Sequence, residues 1–111
     1  MRLDVGSLGE WKVVTPSESR LDAYVAEEFK RGLIDCVQDG TLRLVIDLGG
    51  VEFMDSSGLG AIVCCLQRMG KGRIAIARAR EAVTMMLRLT HIDRVFLLVD
   101  KVEDLATETT V

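Results

Sequence analysis

The segment 42–60, which reads LRLVIDLGGVEFMDSSGLG, joins an apolar run, a turn and a helix start. Residues 43–48 are rich in β-branched and other apolar side chains, so they predict a buried strand. The pair Gly49 and Gly50 ends that strand. A fold that accepts this segment must lead a buried strand through a short turn into a helix, which favours an α/β architecture.

The helix after the turn is predicted to begin near Ser56 and to run to about Met69, where Gly70 stops it. Asp55 or Ser56 can supply the N-cap, because a side-chain oxygen there accepts hydrogen bonds from free backbone N–H groups of the first turn. The same N–H groups and the positive end of the helix dipole also favour a phosphate. The local sequence therefore leaves two interpretations of Ser56 open, a capping residue only or a phosphate-bearing residue.

The rest of the chain alternates strands and helices, which indicates parallel strands joined by helical crossovers. The first two strands are predicted to form a hairpin around the turn at 8–10. Further strands are predicted at 43–48, 73–77 and 95–99, after the hairpin strands at 3–7 and 11–15, with helices at 21–38, 56–69, 81–89 and 101–106 and a frayed end at 108–111.

Helical spacing of apolar residues predicts which side chains face the sheet. The inward sets are Tyr24, Val25, Phe29, Leu33, Ile34 and Val37 in the first helix, Leu59, Ile62, Val63, Leu66 and Met69 in the second, and Val83, Met86, Leu87 and Leu89 in the third. The other face of the second helix carries Gly60, Ala61, Cys64, Cys65, Gln67 and Arg68. Small side chains on an outward face would let a partner's backbone approach closely, although for Cys64 or Cys65 taken alone a half-buried packing role is the favoured interpretation.

The stretch 53–60, FMDSSGLG, resembles the signature of STAS-domain anti-sigma factor antagonists, which are small bacterial partner-switching proteins. The stretch 20–23, RLDA, resembles the family's entry to its first helix, with Ser19 at the usual glycine position. The strands predicted at 42–48 and 73–77 flank the signature as they do in the family. The resemblance thus extends over most of the chain.

This resemblance implies a single STAS domain over residues 1–111, an α/β fold with a mixed sheet of four to five strands and helices mainly on one side. It also implies that Ser56 is phosphorylated by a GHKL-type serine-kinase anti-sigma factor and dephosphorylated by a PP2C-type phosphatase. The unphosphorylated form would bind the kinase and release its target. The partner-binding residues implied are Arg20, Asp22, Asp55, Ser56, Ser57, Gly58, Gly60 and Cys64.

Two other functions remain open. A non-phosphorylated STAS accessory subunit of a membrane lipid-transport system would use Ser56 only as an N-cap. A nucleotide-binding domain is disfavoured because no GxxxxGKS/T loop is present. We expect that the chain is not an enzyme and has no catalytic residue or cofactor, since its single histidine, His91, has no paired nucleophile. We also expect no metal site, because no spacing of His, Cys, Asp or Glu residues is typical of metal ligands.

Composition restricts the partners further. The net charge of -3 and the lack of a basic stripe argue against nucleic-acid binding. No apolar run approaches the ~20 residues of a membrane helix, and the first residues lack the apolar stretch of a signal peptide. Three cysteines include the adjacent pair Cys64 and Cys65, which cannot easily form a disulfide with each other. We therefore expect a cytoplasmic protein without a membrane partner.

Overall fold

The computed structural model describes residues 1–107. Its strands are β1 (Leu3–Leu8), β2 (Trp11–Pro16), β3 (Arg20–Leu21), β4 (Arg43–Asp47), β5 (Phe53–Met54), β6 (Arg73–Ala77) and β7 (Leu97–Val99). Its α-helices are α1 (Ala26–Val37), α2 (Ser56–Met69) and α3 (Glu81–Leu89), and 3-10 helices lie at Ile92–Arg94 and Val102–Thr107. The frayed end predicted at 108–111 lies outside the described residues.

A five-stranded sheet in the order β1-β2-β4-β6-β7 forms the centre of the fold. The first pair is antiparallel and the other three pairs are parallel. Gly9, in the turn of the β1–β2 hairpin, has a φ of 58°, a left-handed conformation that suits glycine. The mixed sheet and the hairpin confirm the predicted fold class.

The α-helices pack on one face of this sheet. Side chains alternate along each strand, so neighbouring residues enter different cores. The helix-side core takes Val14, Leu44, Ile46, Ile74 and Ile76 from the sheet and Phe29, Leu33, Ile62 and Leu87 from the helices. The opposite face carries Trp11, Val45, Ala75 and Ala77, which pack with Leu105 from the last 3-10 helix. The prediction of helices mainly on one side is confirmed.

A second, two-stranded sheet lies outside the periodic pattern. Strands β3 and β5 are parallel, with Arg20 opposite Phe53 and Leu21 opposite Met54. The Asp55 N–H donates to the Leu21 carbonyl at 3.2 Å, which continues the pairing toward α2. This small sheet brings the loop before α1 beside the loop before α2.

Two side chains predicted to face the sheet, Tyr24 and Leu89, are exposed instead. Helix α1 begins at Ala26 rather than at residue 21, because Leu21 belongs to β3 and residues 22–25 form a turn. The Asp22 side chain accepts from the Tyr24 N–H at 3.1 Å and forms a turn, which leaves Tyr24 95% exposed instead of inward. Leu89 ends α3 and is 75% exposed, so it does not belong to the core either.

The last strand is also shorter than expected. Residues 92–94 form a 3-10 helix, and β7 begins only at Leu97. Val95 is consequently 52% exposed and outside the sheet. Among the described residues, none of the helices combines the length and apolar character needed to cross a membrane.

Candidate functional site

The start of α2 is built around Asp55. Its extended backbone, with φ -104° and ψ -174°, is the usual N-cap conformation. Its Oδ1 accepts from the Ser57 N–H at 2.8 Å and from the Gly58 N–H at 3.2 Å. Asp55 is therefore the N-cap, which decides the choice between Asp55 and Ser56 that the sequence left open.

Ser56 is the first residue of α2, and its side chain is exposed. Within residues 1–107 its hydroxyl makes no hydrogen bond, whereas Ser57 is half-buried and gives its N–H to the cap. The fold therefore leaves the Ser56 hydroxyl in solvent, beside the Asp55 carboxylate and at the positive end of the helix dipole.

Gly58 lies buried where α2 meets β3 and β5. A Cβ at this position would be 2.3 Å from the Leu21 carbonyl oxygen and 2.9 Å from Met54 Cγ. A glycine is needed here because the helix start rests directly on the backbone of β3. In the described structure Gly58 is a packing residue, although the resemblance implied a partner contact.

Arg20 and Asp22 lie in β3 and directly after it, beside this helix start. The Arg20 guanidinium stacks over the Phe53 ring at 4.3 Å from its centroid, and its Nε is 3.5 Å from Asp22 Oδ2. The Arg20 side chain is 61% exposed and that of Asp22 18%. The β3–β5 pairing brings these two residues to the same end of the molecule as Asp55.

Ser19 occupies the position where the family that the chain resembles usually has glycine, and its backbone fits there. Its carbonyl accepts from the Glu52 N–H at 2.7 Å and from the Phe53 N–H at 3.2 Å. The non-glycine residues with positive φ in the described chain are Arg78 and His91, so Ser19 does not adopt the left-handed conformation that favours glycine. The departure from the family pattern therefore leaves the β3–β5 contact intact.

The outward face of α2 is narrower than predicted. Gly60 is exposed, and a Cβ there would meet nothing within 4 Å. Ala61 and Cys65 are buried instead of outward, at 3% and 0% exposure. Cys65 Sγ lies 3.7 Å from the Leu33 carbonyl of α1, and burial raises the pKa of its thiol to about 11.

Helix α1 covers this side of α2, which helical periodicity alone could not show. Cys64 is half-buried at a shallow groove between the two helices, together with Lys30 and Ile34. The exposed part of α2 near Ser56 thus contains Gly60 but not Ala61. Within residues 1–107, no group of three or more His, Cys, Asp or Glu side chains could hold a metal ion.

Sequence reasoning missed Phe53 as part of this site. Its ring lies under Arg20, at 38% exposure, in the strand that pairs with β3. The two residues are far apart in the chain, and neither belongs to a periodic element. The available signal was that Phe53 opens the stretch 53–60 and Arg20 opens the stretch 20–23, the two stretches that carry the resemblance.

The sequence and the fold of this chain are similar to those of known proteins. The sequence model of the STAS domain matches residues 8–105. The anti-sigma-B factor antagonist of Staphylococcus aureus is 37% identical over 51 residues, or 46% of this chain and 47% of that protein. The aligned part thus spans about half the length of the curated relatives that the chain matches.

Two solved structures extend the likeness to the whole fold. An anti-sigma factor antagonist from Mycobacterium paratuberculosis has a TM-score of 0.86 and 27% identity, covering 99% of this chain and 94% of that one. The phosphorylated form of the Bacillus cell fate determinant SpoIIAA has a TM-score of 0.68 at 15% identity, covering 99% of this chain and 100% of that one, and shows the fold alone. Since the family model matches most of the chain, residues 8–105 of 111, the chain belongs to the STAS domain family.

Proposed function

We propose that this chain is an anti-sigma factor antagonist that acts as a phosphorylation-controlled partner switch in the bacterial cytoplasm, as a single STAS domain over residues 1–111. The unphosphorylated form binds a GHKL-type serine-kinase anti-sigma factor and frees that kinase's target. Phosphorylation of Ser56 ends the binding, and a PP2C-type phosphatase restores it. The likeness to antagonists from Staphylococcus aureus and Mycobacterium paratuberculosis supports this function.

The exposed Ser56 hydroxyl is the observation that carries the proposal. Asp55 already accepts the hydrogen bonds that cap α2, so the fold does not use the Ser56 oxygen. A kinase can reach this oxygen without opening the helix. Ser57 is less suitable because it is half-buried.

The proposed partner surface surrounds Ser56. It contains Arg20, Asp22, Asp55, Ser57, Gly60 and Cys64 at its exposed or half-buried positions, with Phe53 added from the structure. Gly58 supports this surface from beneath by letting α2 approach β3. The surface combines opposite charges with small residues, which suits a partner that approaches closely.

Phosphorylation would oppose binding through charge and bulk. A phosphoserine adds roughly -1.5 to -2 charges, directly beside the Asp55 carboxylate. The repulsion between like charges about 4 Å apart grows from ~1 kcal/mol in water to ~4 kcal/mol where a partner excludes water. Binding of the phosphorylated form is therefore disfavoured by up to ~3 kcal/mol, and removing water from the phosphate adds to this cost. A roughly 10- to 1000-fold loss of partner affinity follows at ~1.4 kcal/mol per factor of ten.

The direct test uses the purified serine-kinase anti-sigma factors of the source organism, each incubated with this chain and ATP. Phosphopeptide mapping should find Ser56 modified by one of them, and titration calorimetry should show the weakened binding after modification. Ser56→Ala should resist phosphorylation and still bind, whereas the control Ser57→Ala should be phosphorylated. Modification chiefly at Ser57 would contradict the site, and no modification by any kinase would favour the lipid-transport alternative.

A further inference from the structure

Two arginines hold the turn that leads from β4 toward Ser56. Arg78 Nε donates to Asp47 Oδ1 at 2.8 Å, and Arg80 Nε donates to the Gly49 carbonyl at 3.0 Å. The same Asp47 oxygen accepts from the Gly49 N–H at 3.0 Å. We call Asp47, Gly49, Arg78 and Arg80 the arginine clasp.

The position of the Arg78 guanidinium leaves no room for a side chain at residue 49. A Cβ on Gly49 would lie 2.4 Å from Arg78 Cζ and 2.5 Å from Arg78 Nη2. Arg78 itself has a φ of 55°, a left-handed conformation that is strained for a residue with a side chain. Such strain persists when the surrounding contacts determine it, and it concentrates at functional positions.

The turn held by the clasp continues to Ser56 through a series of backbone hydrogen bonds. The Val51 N–H donates to the Leu48 carbonyl at 3.0 Å, and the Glu52 N–H donates to the Ser19 carbonyl at 2.7 Å. The pairing of β3 with β5 and the Asp55 cap complete the path. The clasp is therefore the first of the contacts that order the loop between β4 and α2.

We propose that Arg78 and Arg80 are positioning residues for Ser56. They order residues 49–55 and thereby set the conformation in which α2 presents its first residue. Because Arg80 directly precedes α3, they also tie the start of α3 to this loop. The ordering of the loop stands by itself, and only its consequence for kinase recognition rests on the function proposed above.

The first test needs no partner. Gly49→Ala should displace the Arg78 guanidinium, shift the Ser56 amide resonance and speed amide hydrogen exchange of Val51, Glu52 and Asp55 roughly two- to fivefold, as expected for losing a partly exposed ion pair. Gly50→Ala is the matched control, because a Cβ at Gly50 meets nothing within 4 Å. Amides of α1 should exchange unchanged in both variants.

A double-mutant cycle tests whether displacement of the Arg78 guanidinium causes the loss of protection. Arg78→Ala alone should produce the same local loss of protection as Gly49→Ala. In the Arg78→Ala background, Gly49→Ala should add little, because the guanidinium that it would displace is gone. Additive effects of the two substitutions would overturn the clasp, as would equal acceleration of exchange throughout the domain.

A second arm concerns recognition. With a kinase that modifies the wild-type chain, Arg80→Ala should raise KM for Ser56 phosphorylation roughly in proportion to the loss of ordered loop, with kcat little changed. Arg80→Lys keeps a donor for the Gly49 carbonyl, so its KM should lie close to the wild-type value. If the loop loosens but KM stays unchanged, the effect on Ser56 is refuted; if no kinase acts on the wild type, the partner switch fails while the exchange data still decide the clasp.

Discussion

Asp55 and Ser56 are neighbours at the start of α2 but contribute differently to the fold. Asp55 accepts two backbone hydrogen bonds, so Asp55→Ala should lower the free energy of unfolding by ~1 kcal/mol. Ser56 uses its hydroxyl in no described contact, so Ser56→Ala should stay within ~0.5 kcal/mol of wild type. Urea denaturation of both variants measures the difference, and an equal loss would mean that Ser56 shares the capping.

The two glycines of the first turns of α2 form a second contrast. A Cβ at Gly58 would lie 2.3 Å from the Leu21 carbonyl oxygen, so Gly58→Ala should cost at least ~1–3 kcal/mol through overpacking. Gly60 is exposed in the same helix, and Gly60→Ala should instead stabilise by up to ~1 kcal/mol because alanine is the better helix former.

Thermal or urea unfolding of this pair checks the contrast. Tolerance of Gly58→Ala at wild-type stability would show that α2 can move away from β3. If the exposed glycine lies under a bound partner, Gly60→Ala should also weaken binding while raising stability, a combination that a purely structural role does not produce.

At the scale of elements, an ion pair joins β2 to the end of α1. Lys12 Nζ lies 2.5 Å from Asp39 Oδ2 and donates to the Cys36 carbonyl at 2.7 Å. The hydrogen bond from Lys12, followed by that from Thr41, lowers the pKa of Asp39 from 3.8 to about 2. Because the folded pKa is the lower one, the stabilisation is complete above the unfolded value and is lost as pH falls toward the folded value.

Asp39→Asn should therefore be less stable than wild type near neutral pH, and the difference should shrink between pH 4 and about 2. The carboxylate is 60% exposed, so the effect should be modest and weaken with salt. Unfolding curves at a series of pH values measure it. Asp35→Asn, in the last turns of α1 just before Asp39 and without an ion pair among residues 1–107, serves as control. If the stability difference between Asp39→Asn and wild type grew as pH fell, the predicted direction of the pH dependence would be wrong.

The contact between α1 and α2 makes the adjacent thiols unequal. Cys65 is 0% exposed, and burial raises its pKa to about 11, whereas Cys64 is half-buried at the groove. Only the thiolate reacts, so alkylation of Cys65 in the folded protein should be at least ~100-fold slower than that of an exposed thiol. Iodoacetamide labelling followed by tandem mass spectrometry separates the two positions. Equal labelling of Cys64 and Cys65 would contradict the α1–α2 packing.

At the scale of the whole molecule, phosphorylation should leave the domain folded. The dipole at the start of α2 favours an added anion by ~0.3–1 kcal/mol, and Ser56 makes no described contact that a phosphate would break. Amide spectra of the phosphorylated chain should change near β3, β5 and the first turns of α2, and the central sheet should keep its resonances. Ser56→Asp carries less charge and bulk, so it should weaken partner binding only in part. Changes spread across β2, β4 and β6 would indicate refolding instead.

Much of the fold could be predicted because it follows local periodicity. The apolar residues of 43–47 and 73–77 alternate between the two cores, and the hairpin depends on neighbouring residues. The exposure of Tyr24 and the late start of β7 could not be predicted in this way. Both lie at element ends, where local structure replaces the helix or strand that the apolar pattern predicts: a turn held by Asp22 before α1, and a 3-10 helix at 92–94 before β7.

The sequence by itself determined the order of strands and helices, the family resemblance and the glycine that ends α2, since these depend on residues close together in the chain. Only the tertiary structure decided that Asp55 alone caps α2, that Gly58 lies under Leu21 and that α1 buries Ala61 and Cys65. It also decided the meeting of Arg20 with Phe53 and of Arg78 with Gly49. Apart from the local Asp55 cap, these contacts join residues about thirty or more positions apart, and folding of the whole sheet brings such residues together.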